Sequence, residues 1–250
     1  MSATKIKFSP SININRDSEY DFNYIVTANS AKVFGQILND SLLGIKAHVI
    51  NGAYGTGKSS LLLATKQTLN GFKQHFVGYE RFIKQLPNFE FISIVGSFSS
   101  LSKEFASLVG INDQDYATKD ILTGLNSYYK KLQKNGKGLA ILIDEFGKFL
   151  EYAAKHNPES ELYFIQQLAE WINNTSSQTL LITTVHQGLN DYSLSLSKSQ
   201  QQEWQKVSGR LKEIVFNEPV EQLLFLASER LPDRFRDRAI DKGFDKLFDA

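Results

Sequence analysis

The sequence predicts an α/β fold, a three-layer sandwich in which helices cover both faces of a mainly parallel central sheet. Two observations support this prediction. Runs rich in β-branched and aromatic residues alternate with runs whose apolar residues recur at helical spacing, an order typical of parallel sheets. One strand-like run also leads through a glycine-rich loop into a helix-like run, and parallel sheets bind ligands at such strand ends. The 250 residues suffice for one such domain with a small appendage.

The first half of the chain is predicted to hold two strands and three helices after an irregular start. Asn29 or Ser30 is a favourable helix cap, and the apolar spacing that follows predicts a helix to about residue 43. Residues 75–79 fit either a short strand or a loop. The other elements of this half are a strand at 47–51, a helix from the glycine-rich loop to about 69, a strand at 89–98, and a helix that Ser99 or Ser100 caps and that runs to about 109.

The second half continues the alternation. Residues 118–134 carry apolar side chains at helical spacing, and the following Asn-Gly is typical of a helix C-terminus. Residues 139–143 form the most convincing strand of the chain. The other predicted elements are helices at 146–154 and 160–173, a strand at 179–185, a loop at 187–199, a helix at 200–211, a short strand at 213–216 and a helix that opens at Pro219.

Composition excludes several classes of function. The chain has no cysteine, which excludes disulfides, thiolate metal sites and a cysteine nucleophile and fits a cytoplasmic location. No signal-peptide pattern or membrane-length apolar run is present, so no membrane partner is expected. The formal net charge of +1 argues neither for nor against binding to nucleic acid, so nucleic acid is left open as a partner. A cluster near one helix end is either solvated surface or a phosphate-backbone contact: Lys130, Lys131, Lys134 and Lys137.

Residues 52–59 read G-A-Y-G-T-G-K-S and match the phosphate-binding loop G-x-x-x-x-G-K-[ST], called Walker A. The loop lies between a strand-like and a helix-like run, so its backbone N–H groups and the positive end of the helix dipole face the same anion. Lys58 is expected between the β- and γ-phosphates of a nucleotide, and the Ser59 hydroxyl on Mg²⁺. We expect ATP and Mg²⁺ as cofactors, with the nucleotide bound by Gly52, Ala53, Tyr54, Gly55, Thr56, Gly57, Lys58, Ser59 and Ser60.

Residues 139–145 read L-A-I-L-I-D-E and form the second motif, called Walker B, in which a buried strand delivers a carboxylate to its C-terminal end. Asp144 is expected to hold Mg²⁺, directly or through water, opposite Ser59. Glu145 is expected to orient and polarise the attacking water as general base. With the Walker A loop, this motif predicts a P-loop NTPase.

The chain resembles the additional-strand, catalytic-glutamate branch of P-loop NTPases, which includes the AAA+ ATPases. One feature is the glutamate directly after Asp144, which the kinases and GTPases of this superfamily generally lack. The other is the run at 179–185, a candidate strand to insert in space between the loop strand and the Asp144 strand. The resemblance covers roughly residues 25–230 and implies an AAA+ or closely related signal-transduction ATPase module.

This resemblance implies two further site residues. A polar residue called sensor 1 ends the inserted strand of AAA+ proteins, where Thr184 or His186 would stand near the γ-phosphate, although asparagine is more usual there. Residues 207–211, V-S-G-R-L, resemble the arginine-finger region of origin-recognition and clamp-loader proteins, so Arg210 would reach the nucleotide of a neighbouring subunit. The alternative is that neither residue has a role in the site. His186 would then be a polar residue at a strand end, and Arg210 a surface arginine that the helix dipole favours near a C-terminus. The predicted catalytic residues are thus Lys58, Glu145, Thr184 and Arg210.

A closer resemblance is to large prokaryotic ATPases of anti-phage defence systems, the BREX type among them. Three segments carry it: residues 144–151 (D-E-F-G-K-F-L-E), the His-Gln pair at 186–187, and residues 203–210 (E-W-Q-K-V-S-G-R).

The AAA+ resemblance also suggests how the chain divides. We expect an N-terminal extension at 1–24, an ATPase core at 25–217, and a partial helical lid or the start of a following domain at 218–250. The last segment is too short for a usual AAA+ lid, so the chain is expected to be the N-terminal part of a longer protein or to have a compact lid. Its candidate sensor 2 arginines, none of which stands in a motif, are Arg230, Arg234, Arg236 and Arg238.

The leading functional hypothesis is an ATPase that couples Mg-ATP binding and hydrolysis to assembly or conformational change, with a homo-oligomer or partner ATPase subunits as its context. The alternative is a nucleotide-gated interaction module with negligible turnover, in an anti-phage defence or DNA-associated complex. A small-molecule kinase is a third hypothesis, which the Asp-Glu pair disfavours.

Overall fold

The computed structural model describes residues 12–19, 23–112, 115–174, 176–219 and 222. Within them, five strands form one sheet whose neighbouring strands are all parallel. The spatial order is β2-β3-β4-β1-β5. This confirms the predicted α/β class and places β4 between the strand that leads into the glycine-rich loop and the strand that ends in Asp144. The strands are β1 (Ala47–Asn51), β2 (Asn88–Val95), β3 (Lys137–Asp144), β4 (Thr179–Val185) and β5 (Lys212–Val215).

Helices cover the sheet on both faces. The helices are α1 (Ala28–Leu42), α2 (Lys58–Leu69), α3 (Glu80–Ile83), α4 (Leu101–Leu108), α5 (Thr118–Lys134), α6 (Gly147–Lys155), α7 (Pro158–Asn173) and α8 (Lys198–Ser208), with a 3₁₀ helix at Leu189–Ser193. One apolar core joins α1 and α2 to the sheet, and the other joins α4 to α8 to its opposite face. None of the helices in the described part of the chain combines the length and apolar character needed to cross a bilayer.

Strand β3 shows why the sheet lies at the centre. Ala140 and Leu142 face the core under α1 and α2, whereas Leu139, Ile141 and Ile143 face the core under the other helices. All five side chains are fully buried. A strand buried on both faces reads as a continuous apolar run, as this one does.

Several predicted boundaries were wrong for identifiable reasons. Helix α1 is capped by Thr27, because Thr27 and Ser30 exchange side chain–backbone hydrogen bonds in a capping box. Strand β2 ends at Val95, because its partner β3 ends at Asp144 and the bond from the Gly96 N–H to the Asp144 carbonyl is the last one of the ladder. Helix α8 begins two residues earlier than predicted, after Ser197, which caps it.

The remaining predictions concern two loops, a missed helix and the two ends of the chain. Residues 75–79 are a loop, and the short α3 that follows was missed. The predicted loop at 187–199 contains the 3₁₀ helix. Most of the predicted N-terminal extension and almost all of segment 218–250, with Arg230, Arg234, Arg236 and Arg238, lie outside the described residues.

A buried histidine makes the stability of this fold depend on pH. His48 of β1 is fully buried, with its Nε2 3.8 Å from Asp40 Oδ2. Burial, with a smaller contribution from the charge of Lys212, lowers the pKa of His48 to about 4. The unfolded chain, with a histidine pKa near ~6.5, therefore takes up this proton first as the pH falls.

We predict that the free energy of unfolding falls by up to about 3 kcal/mol between pH 6.5 and pH 4 because of His48 alone. Urea unfolding at a series of pH values measures this, and His48→Leu is expected to flatten the dependence. His156→Leu, at an exposed histidine, is the matched control. A His48→Leu variant whose pH dependence equals that of the parent would refute the prediction.

Candidate functional site

The predicted site residues from three strands meet at one edge of the sheet. Strand β1 leads into the loop at 52–57, and α2 begins directly after that loop. Strand β3 ends at Asp144, and β4, which lies between β1 and β3, carries Thr184 near its own end. Because the strands are parallel, all these C-terminal ends lie at the same edge.

The backbone of the loop requires glycine at two decisive positions. Gly57 has a φ of 87° and serves as the N-cap of α2, a left-handed conformation that other residues adopt only with strain. At Gly52, a Cβ atom would overlap the carbonyl oxygen of Phe216. The loop therefore wraps tightly at the N-terminus of a twelve-residue helix, where unpaired N–H groups favour an anion.

Lys58 points back into this loop. Its Nζ donates hydrogen bonds to the carbonyl oxygens of Gly52, at 2.6 Å, and Ala53, at 2.7 Å. Burial lowers the pKa of Lys58, and the negative charges of Asp144 and Glu145 oppose that shift. The structure thus brings the ammonium group and both predicted carboxylates into electrostatic reach of one another.

The remaining loop residues line the start of α2. The Thr56 hydroxyl donates to the Ala53 carbonyl oxygen at 2.9 Å and closes the turn. Ser59 and Ser60 are the second and third residues of α2 and are half-buried. The Tyr54 ring is 76% exposed, and the Lys58 ammonium lies 5.8 Å from its centre.

Asp144 is buried and held by the neighbouring strand. The Thr184 hydroxyl donates to Asp144 Oδ1 at 2.6 Å and accepts from the backbone N–H of Glu145 at 2.9 Å. That same N–H lies 3.1 Å from Asp144 Oδ1, so both of these contacts are made by Oδ1 and neither by Oδ2. The sequence predicted Thr184 near a γ-phosphate and did not anticipate that its hydroxyl holds Asp144 in place.

Glu145 stands at the mouth of the site. Its φ of 54° is left-handed, which is uncommon for a residue other than glycine. Its carboxylate forms an ion pair with Lys148, three residues on in the first turn of α6. The hydrogen bond to Glu145 raises the pKa of Lys148 against the smaller opposing effect of burial. Sequence reasoning missed Lys148, although the spacing i, i+3 was visible.

His186, the other sensor 1 candidate, lies elsewhere. Its ring stacks on that of Tyr54, with centroids 4.6 Å apart. Its Nε2 is 3.7 Å from Glu151 Oε1, and its Nδ1 is 3.5 Å from the Tyr192 hydroxyl. Of the two candidates, the structure therefore sets Thr184 against Asp144 and sets His186 over the glycine-rich loop.

Arg210 is not brought to the other site residues. It precedes β5 and so lies at the amino edge of the sheet, opposite the loop. Its Nε is 2.5 Å from Glu170 Oε1 on α7, and its Nη1 donates to the Lys206 carbonyl. Within one chain, Arg210 cannot act on a ligand that Lys58 holds.

A cavity beside the loop was not anticipated from the sequence. It has a volume of about 50 Å³, and the segment before α1 forms one wall and the start of α2 another. Thr27, which caps α1, donates to Glu218 Oε1 at 2.5 Å and closes one end. Its lining is aromatic and apolar at Tyr24, Ile25 and Phe216, and its edges are polar at Thr56 and Ser60.

A larger cavity of about 780 Å³ lies between α5 and α7, away from the loop. Lys119 and Lys130 line it, and the cavity holds none of the predicted site residues. Of the lysines singled out in the sequence, Lys137 pairs with Glu90 at 3.0 Å. Apart from Arg210, the predicted site residues thus lie at the glycine-rich loop and the neighbouring strand ends, away from this cavity.

No protein-family model and no curated protein matches the chain. Among solved structures, the ORC2 protein of Aeropyrum pernix in its ADPNP–ADP complexes matches with a TM-score of 0.54 and 16% identity, over 86% of this chain and 54% of that one. Its ADP form gives 0.54 and 15%, over 86% and 55%. Drosophila ORC bound to DNA gives 0.46 and 15%, over 90% and 52%.

These comparisons establish the fold. The five-stranded parallel sheet flanked by helices matches the AAA+ P-loop NTPase fold of the Aeropyrum pernix protein. The chain spans about half the length of the solved proteins that it matches.

We predict that Thr184→Val lowers the free energy of unfolding by about 1–3 kcal/mol, because the buried Asp144 Oδ1 and the Glu145 N–H lose their shorter hydrogen bonds and keep only the 3.1 Å contact with each other. Thr183→Val is the matched control, since that buried hydroxyl makes only a 3.3 Å bond to the His48 carbonyl. Thr184→Ser is expected to stay close to the parent. Chemical denaturation measures all three, and equal losses in the two valine variants would contradict the role of Thr184.

Proposed function

We propose that this chain binds Mg-ATP and hydrolyses it to ADP and phosphate, coupling nucleotide state to assembly or conformational change. The supporting observation is the convergence of Lys58, Asp144 and Glu145 at the N-terminus of α2. The ORC2 protein of similar fold was solved with ADPNP and ADP, which is consistent with a nucleotide in the corresponding place.

The residues present fit both groups of Mg-ATP. The tight loop at 52–57 offers backbone N–H groups to phosphates, and the Lys58 ammonium already lies against its carbonyl oxygens. Magnesium prefers oxygen ligands and keeps several waters, so the Ser59 hydroxyl and Asp144 Oδ2 would suffice as its protein ligands. When bound, the metal would neutralise charge on the phosphate oxygens.

Three residues of the chain would have the remaining roles in hydrolysis. Thr184 holds the Asp144 carboxylate, so that this ligand needs no reorientation. Glu145, at the exposed rim, would orient a water and accept its proton once the carboxylate leaves Lys148. Lys58 would stabilise negative charge that develops on the transferred phosphoryl group.

The small cavity would receive the base of the nucleotide once it widens, because its present volume of about 50 Å³ is smaller than a purine base. It adjoins the N-terminus of α2 through Thr56 and Ser60, and Tyr24, Ile25 and Phe216 give it an aromatic and apolar lining. Ligand pockets of this kind combine apolar walls with a few polar groups that fix orientation.

Arg210 supports an assembly of several ATPase subunits. Because it lies at the edge opposite its own loop, it would serve as an arginine finger only toward the nucleotide of a neighbouring copy or partner subunit. Glu170 would have to release it first. Nucleic acid as a partner and a role in BREX-type defence stay predictions from the sequence.

A second candidate is a nucleotide-gated interaction module with negligible turnover. Two observations favour it: Glu145 is paired with Lys148, and Arg210 is paired with Glu170. In this case, tight ATP binding would change self-association with little release of phosphate.

We predict that Glu145→Gln retains ATP binding and lowers the hydrolysis rate by about 10²-fold or more, as expected for a lost general base. Glu151→Gln, six residues further along the chain, within α6 and paired with His186, is the matched control and is expected to keep most activity. Phosphate release and nucleotide titration measure the two properties. A Glu145→Gln variant that hydrolyses ATP as fast as the parent would overturn the assignment.

For Arg210, we predict hydrolysis per subunit that rises with protein concentration, and a loss of about 10³-fold or more in Arg210→Ala. Lys206→Ala, four residues earlier on α8, is the matched control. Mass measurement with and without Mg-ATP reports assembly in the same samples. Activity that is independent of concentration, or unchanged in Arg210→Ala, would rule out the finger.

A further inference from the structure

We propose that Lys148 recognises the terminal phosphate of a bound nucleoside triphosphate and that its ion pair with Glu145 is the resting state from which it is released. The inference rests on the proposed function, because it assigns a new contact within the same site. Its consequence is specific: a triphosphate, but not a diphosphate, would free the Glu145 carboxylate.

The backbone fixes Lys148 at the mouth of the site. Helix α6 begins at Gly147, where a Cβ atom would overlap the hydroxyl of Tyr192. Tyr192 is buried, so this close contact sets the position of the first turn of α6. The left-handed backbone of Glu145 then turns its carboxylate toward Lys148.

Glu145 is paired with Lys148 and also lies within electrostatic reach of Lys58. Glu145 and Asp144 both favour the charged form of Lys58, and both favour the charged form of Lys148 as well. The Tyr54 ring lies 5.8 Å from the Lys58 ammonium, and the ring of His186, at the end of the strand that carries Thr184, stacks on it. A phosphate held by Lys58 would therefore approach the ammonium of Lys148 as well.

The ion pair between Lys148 and Glu145 is weak enough for Lys148 to exchange it for a phosphate. Lys148 and Glu145 are 47% and 44% exposed, and exposed pairs three residues apart contribute little to stability. A γ-phosphate carries more negative charge than one carboxylate and offers three oxygens, so it competes well for the ammonium. A diphosphate ends one group short and leaves the pair intact.

The test is a double-mutant cycle read out by binding instead of turnover. The probes are ADP and ADPNP, a non-hydrolysable analogue of ATP, each titrated with Mg²⁺ against the whole chain. The variants are Lys148→Met, Glu145→Gln, the combination of both, and Lys148→Arg. Lys155→Met is the matched control, because this lysine of the same helix lies over the Phe98 ring instead.

Lys148→Met is expected to weaken ADPNP binding about tenfold or more and to leave ADP binding within about twofold. Lys148→Arg and Lys155→Met are expected to bind both probes as the parent does. Glu145→Gln is expected to tighten ADPNP binding, because it frees Lys148, and most of that gain should vanish in the double variant.

Two outcomes would overturn the inference while leaving the proposed function intact. One is equal weakening of ADP and ADPNP binding in Lys148→Met. The other is a Glu145→Gln gain that is the same with and without Lys148, which would assign it to relief of charge repulsion alone. A parent chain that binds neither nucleotide would instead refute the proposed function, and the inference with it. Both positions are half exposed, so the variants are expected to fold, and urea denaturation checks this.

Discussion

The hydrogen bond from Thr184 to Asp144 is the contact on which the rest of the site depends. It exists only because β4 lies between β3 and β1 in the sheet. That strand order brings Asp144, Glu145 and the glycine-rich loop to one edge, although they lie far apart along the chain. Since Asp144 and Thr184 are both buried, the two strand ends are fixed against each other, and the carboxylate is oriented before any ligand arrives.

Charge is distributed unevenly between the two edges of the sheet. At the carboxyl edge, Lys58 and Lys148 face Asp144 and Glu145 within one small region. At the amino edge, Arg210 is paired with Glu170. Both Glu145 and Arg210 are thus occupied by partners of their own chain, and under the proposed ATPase function both pairs would have to be exchanged.

The sequence predicted much of the fold because local signals agreed with the buried pattern. The bounds of β1, β4 and α5 match their predictions, since turns and caps flank clear apolar periodicities. The misses arise from contacts that no local pattern encodes. The cavity beside the loop is lined by Tyr24, Thr56 and Phe216, which come from distant segments of the chain. The contact between Lys148 and Glu145 depends on the left-handed backbone at Glu145. The Walker motifs identify the site residues, whereas the order of the strands in the sheet determines which side chains contact them.

The most direct measurement is a crystal structure of the chain with Mg²⁺ and ADPNP. We predict that residues 52–60 wrap the triphosphate, with Lys58 on its β- and γ-phosphates, Mg²⁺ between the Ser59 hydroxyl and Asp144, and Glu145 facing the γ-phosphate. The base should lie against Tyr24 and Phe216. A nucleotide bound elsewhere, such as between α5 and α7, or a loop that stays closed on Lys58 with the carboxylates turned away, would contradict it.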